Sequence, residues 1–119
     1  MSTAIVLFGH GSRDPAWRRP IDAVAGRLAT ASPDALVRCA FLELTTPDLP
    51  ATTAELAAAG VRRIRIVPMF LGVGRHARED LPLIVDGLRA QYADIAFDLA
   101  PAVGEDERLL DLLADIARG

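Results

Sequence analysis

The chain opens with an unbroken apolar run at residues 4–8 (AIVLF). A continuous run of that length suits a strand covered on both faces, as in a parallel sheet. It leads into Gly9-His10-Gly11-Ser12-Arg13-Asp14-Pro15, where Asp14 can cap a helix and Pro15 suits its first turn. Trp17, Ile21, Val24 and Leu28 then recur at helical spacing and predict one apolar face. Pro20 removes a backbone donor, so either a kink or a helix proper beginning near it is expected. The cycle repeats three times. Residues 35–44 read as a second strand, and Thr46-Pro47-Asp48 opens a helix carrying Leu49, Thr53 and Leu56 that Gly60 ends. Residues 61–69 read as the third strand. The loop 71–78 then leads to a helix with Leu81, Ile84, Val85, Leu88 and Tyr92 on one face, where Pro82 fits if the helix starts near Glu79. Residues 95–100 read as the fourth strand. A final helix carries Leu109, Leu112, Leu113 and Ile116.

Four βα units in series predict one α/β domain over residues 1–119. Its expected form is a single open parallel four-stranded sheet of order 2-1-3-4, flavodoxin-like, with helices on both faces and right-handed crossovers. Such sheets bind ligands beyond the carboxyl ends of their strands, at the switch between strands 1 and 3. His10 follows strand 1 and His76 follows strand 3. They are the only two histidines in the chain.

Composition narrows the classes. The 119 residues are 51% hydrophobic with a net charge of −3, which offers no basic field for nucleic acid. A single cysteine, Cys39, excludes an intrachain disulfide or thiolate cluster and reads as a buried small residue. No apolar run approaches the roughly 20 residues needed to span a membrane. The first strand begins almost at once, so no leader is expected, and the reading is cytoplasmic.

Either histidine alone reads more readily as a solvated or structural loop side chain. Together at the switch point, flanked by Gly9, Gly11, Gly72 and Gly74, they become candidates for chemistry, since glycine lets backbone bend sharply and approach a ligand. Glu43 is the third candidate, because a carboxylate among apolar residues at the end of strand 2 is costly to bury without a partner. Two imidazoles and a carboxylate suit Co²⁺, Fe²⁺, Ni²⁺ or Zn²⁺ with open coordination positions, or equally acid–base work. Arg13, Arg18, Arg19, Arg75 and Arg78 cluster in or just after the histidine loops and suit a substrate with several carboxylates or phosphates. Gly11, Ser12, Arg13, Gly74 and Arg75 are the candidate substrate contacts. Arg65 has no evident place on an interior strand. The dinucleotide fingerprint lacks its third glycine and there is no Gly-Lys-Ser/Thr, so neither nucleotide motif is present.

Three segments in register resemble the short CbiX/SirB-type class II chelatases. They are Val6-Leu7-Phe8-Gly9-His10-Gly11-Ser12-Arg13-Asp14-Pro15; Phe41-Leu42-Glu43-Leu44 with Pro47-x-Leu49-Pro50; and Val67-Pro68-Met69-Phe70-Leu71 with Gly74-x-His76 and Glu79-Asp80-Leu81-Pro82. The late Gly104-x-Asp106-x-Arg108-Leu109 segment fits as well. The resemblance implies insertion of a divalent metal, Co²⁺ or Fe²⁺ with Ni²⁺ as a further choice, into sirohydrochlorin, a polycarboxylate tetrapyrrole of cobalamin and sirohaem synthesis. No organic cofactor is expected. By the same resemblance His10 and His76 hold the metal and accept pyrrole protons, with Glu43 as base or ligand. Longer relatives carry two such domains, so a homodimer is expected here. A non-catalytic metal or tetrapyrrole carrier of the same fold is the alternative, and a histidine-dependent phosphotransfer domain a weaker one.

Overall fold

A computed structural model describes residues 2–119. Four strands, β1 (Thr3–Gly9), β2 (Ala35–Phe41), β3 (Arg63–Pro68) and β4 (Ala96–Leu99), form one parallel sheet of order β2-β1-β3-β4. Its helices are α1 (Arg19–Ala31), α2 (Leu49–Ala58), α3 (Arg75–Gln91) and α4 (Glu107–Arg118). The expected order and the helices on both faces are therefore present. β1 lies between β2 and β3, so its residues alternate between two cores. Ala4, Val6 and Phe8 join Ile64, Ile66, Leu81, Val85 and Leu88 on the α2–α3 side. Leu7 joins Ile21 and Phe41 on the α1 side.

Several local expectations change. β2 stops at Phe41, not residue 44, because the Phe41 N–H turns to the Pro47 carbonyl and Leu44 adopts a φ of 62°. α1 begins at Arg19 with Pro20 in its first turn, after a 3₁₀ turn over Pro15–Arg18. Within α1, Val24 is exposed and Ala25 is half-buried in its place. α3 starts at Arg75, four residues before Glu79, so Pro82 lies inside the helix. Pro82 cannot donate to the Arg78 carbonyl, but both residues are exposed and water can take that acceptor.

Candidate active site

The carboxyl edge of the sheet is built from the ends of β1, β2 and β3. Immediately after β1 and β2 the two chains run on together. Leu42 N–H donates to Gly9 O and Glu43 N–H to His10 O, both at 3.0 Å. That pairing sets the two side chains face to face, and His10 Nε2 meets Glu43 Oε1 at 2.9 Å. Both side chains are about half exposed (51% and 55%), so the pair is open to a ligand. The His10 ring also stands edge-on to Phe70, with centroids 6.5 Å apart, linking the pair to the end of β3.

Two features hold this arrangement. Gly11 has a φ of +105°, and a Cβ there would lie 1.6 Å from the Glu43 carbonyl oxygen, so no other residue fits. Thr45 ties the loops a second time: its Oγ1 accepts from Ser12 N–H at 3.0 Å and donates to Ser12 O at 2.9 Å. Thr45 N–H also donates to Glu43 O at 2.7 Å across Leu44, a tight i→i+2 turn.

His76 is placed differently. It is the second residue of α3, exposed, behind the N-cap Gly74. Among the described residues no group of three or more His, Cys, Asp or Glu side chains lies close enough to hold an ion, so His76 does not complete a donor set with His10 and Glu43 in this conformation. The structure thus pairs two of the three candidates and leaves the third at the same edge, apart from them.

It also sorts the arginines. Arg18 is engaged within the fold, forked on Asp22 at 3.0 Å and stacked 4.7 Å over the Phe41 ring. The Asp22 bond raises the pKa of its guanidinium further. Arg75 pairs with Glu79 one turn on, at 3.0 Å. Arg13 instead lines a surface hollow with Ser12, Trp17 and Thr45. Arg78 lines a largely apolar cavity of about 370 Å³ with Phe70, Leu81 and Leu99. Arg13 and Arg78 thus line surface hollows, while Arg18 and Arg75 are paired with carboxylates of their own chain. Cys39 is half-buried, and burial together with nearby Asp22 pushes its thiol pKa up, so it stays protonated and inert.

Sequence reasoning missed Thr45 and Phe70 as site residues. Thr45 has no role in the sequence reading, and Phe70 enters only as part of the third resembling segment. Only the pairing of the two loops gives either a role.

The CbiX family model matches residues 4–118, nearly the whole chain. The chain belongs to the CbiX family. Among its relatives, the sirohydrochlorin cobaltochelatase of Methanosarcina acetivorans is 32% identical over 116 residues, covering 92% of this chain and 89% of that protein. The crystal structure of the CbiX protein of Marinobacter aquaeolei VT8 matches with a TM-score of 0.84 at 29% identity, over 98% of this chain and 94% of that one. The sirohydrochlorin chelatase SirB of Bacillus subtilis subspecies spizizenii, solved in complex with cobalt, gives 0.80 at 26% identity. That match covers 99% of this CbiX chain but only 50% of SirB, so the chain spans half the length of SirB.

Proposed function

We propose that this CbiX chain is a sirohydrochlorin metallochelatase, taking Co²⁺ or Fe²⁺ (Ni²⁺ being compatible with the same donors) into the tetrapyrrole of cobalamin or sirohaem synthesis. One observation carries the reading: His10 and Glu43, from separate strands, meet at 2.9 Å on an open edge where such sheets bind ligands. In this reading the 119 residues form one chelatase domain, acting in the cytoplasm as a homodimer.

The metal is a substrate, and its insertion releases two pyrrole N–H protons for each ion taken up. With Nε2–H donated to Glu43, the His10 lone pair lies on Nδ1, available to the incoming ion or to a pyrrole proton. The Glu43 carboxylate fixes that tautomer and stabilises the imidazolium when the proton arrives. His76 supplies the second base. Gly11, Ser12, Arg13, Gly74 and Arg75 contact the ring and its carboxylates. An ion bound by few protein donors passes readily to the ring nitrogens, whereas a closed set would retain it. The lack of a closed donor cluster among the described residues therefore favours transit over storage.

The test is absorption spectroscopy of sirohydrochlorin with Co²⁺ or Fe²⁺, with and without the purified chain. Conversion well above the spontaneous rate is expected. Stoichiometric binding of metal or ring with no gain in rate would establish the carrier reading instead.

A further inference from the structure

The turn after β2 holds a residue that neither backbone preference nor packing accounts for. Leu44 has a φ of 62°, in the left-handed region where glycine and asparagine are at ease and a leucine crowds its own backbone. Packing does not compensate, since the residue is 56% exposed. The conformation is nonetheless held firmly. Thr45 N–H closes the turn on Glu43 O at 2.7 Å, and Thr45 Oγ1 is bonded to both Ser12 N–H and Ser12 O. A strained, exposed leucine beside Glu43 points to use by something outside the chain.

A second leucine stands at the matching place beyond β3. Leu71 is 64% exposed and follows Phe70, whose ring meets His10 edge-on. Its backbone is clasped. Gly104 N–H donates to Phe70 O at 2.9 Å, and a Cβ at residue 104 would fall 1.8 Å from Leu71 O. β2 and β3 are the two neighbours of β1, so the leucines follow strands about 10 Å apart, one on each side of the strand that carries His10. Each shares a hollow with one arginine, Leu44 with Arg13 and Leu71 with Arg78. Both arginines are exposed, and neither joins an ion pair among the described residues.

Resting on the chelatase reading above, we infer that Leu44 and Leu71 are paired apolar supports for the flat face of the macrocycle, and that Arg13 and Arg78 take carboxylates at its rim. A tetrapyrrole matches both members of each pair, because its faces are apolar and its acids lie around the edge. A small polycarboxylate would engage the arginines and leave both leucines in water. A lipid surface would have to desolvate Glu43, which adjoins Leu44, at a high cost. Held at two points, the ring presents its nitrogens to His10 in a defined pose, and that is what positioning contributes to the reaction.

Uroporphyrin, a fluorescent and flat polycarboxylate macrocycle, reports binding without turnover. Asparagine suits the left-handed turn, so Leu44→Asn should keep or raise the urea midpoint while its uroporphyrin dissociation constant rises about 10-fold. Leu71→Asn should weaken binding by a similar factor, and the double variant by about 100-fold if the two sites act separately. In turnover the loss should fall on the KM for sirohydrochlorin and leave the KM for Co²⁺ unchanged. Arg13→Gln with Arg78→Gln should weaken uroporphyrin binding and flatten its dependence on salt. A Leu44→Asn variant that binds as tightly as wild type, or whose urea midpoint falls in step with its binding, overturns the inference. So does a wild type that binds no uroporphyrin, or an unchanged salt dependence in the arginine pair. A leucine variant that changes molecular mass in place of affinity assigns the leucines to a contact between proteins and overturns it too. Metal insertion undiminished in both leucine variants overturns this inference alone. Leucine-dependent binding without any gain in insertion rate overturns the chelatase reading and leaves the two supports standing.

Discussion

Besides the His10–Glu43 contact itself, four bonds tie the His10 loop to its neighbour, two from Leu42 and Glu43 backbone and two through Thr45. Around His76 the backbone is held by its own helix, Arg78 N–H reaching back to Gly74 O at 3.0 Å. Gly72 and Gly74, just before it, have open space where a Cβ would stand. One side of the edge is therefore preorganised before any substrate arrives, while the other can adjust to what lands on it. Metal insertion needs both: a base held at a defined place, and a second donor able to follow the ion as it leaves the protein for the ring.

The sharpest way to break this contrast is to add one methyl group on each side. Gly11→Ala must leave a φ of +105° and clear the Glu43 carbonyl, so a loss of at least about 3 kcal/mol is expected in urea unfolding. Gly72→Ala should be neutral or stabilise by up to about 1 kcal/mol, by restricting the unfolded chain. Equal losses at both would show that the two loops are alike. Next comes the chemistry. His10→Ala should lower kcat/KM at least about 100-fold in the sirohydrochlorin assay, the usual range for a positioned proton acceptor. His76→Ala should lower it by about 10-fold, and mainly through the KM for metal if that side adjusts.

A smaller effect is expected at Thr45. Thr45→Val removes both side-chain bonds between the loops and should cost about 1–2 kcal/mol, with Thr45→Ser restoring most of it. A valine variant with unchanged stability and unchanged pH–rate profile would show that Thr45 does not hold the two loops together. The smallest effect lies at the start of α4, where Asp106 caps the helix and pairs with Arg108 at 2.7 Å. The hydrogen bonds from Arg108 hold its carboxyl pKa down from 3.8 to about 2. A depressed carboxyl pKa stabilises the fold above its unfolded value and loses that effect as pH falls through the folded one. Helical signal from α4 should thus be constant from pH 7 to about 4 and decline toward about 2. Asp106→Asn should flatten that decline.

The architecture was legible because each strand announced itself as an apolar run and each helix as a spaced stripe. The 2-1-3-4 order then followed from crossover rules, and it placed His10 and Glu43 at the ends of adjacent strands. Their 2.9 Å contact is consistent with that placement. Periodicity could not reveal what depends on partners distant in sequence. It gave α4 an apolar stripe but not the fact that Leu112 and Ile116 within it stay exposed. It read Val24 as inward because spacing alone does not distinguish it from Ala25. Pro82 looked like a helix start, since nothing in the sequence says that the Arg78 carbonyl would face water. Arg65 made no sense until Asp98 stood opposite it on an uncovered face.

The central position of β1 has a consequence for how the molecule is made. Its partners lie 32 and 60 residues downstream, Thr3 pairing with Ala35 and then with Arg63. On a ribosome, where chains emerge from the N-terminus, β1 waits with one edge open until β2 appears and the other until β3 does. The His10–Glu43 pair can form once Glu43 and Thr45 are out. His76 follows later, and the apolar stripe of α4 later still. Birth order thus brings out all four strands before the exposed stripe of α4.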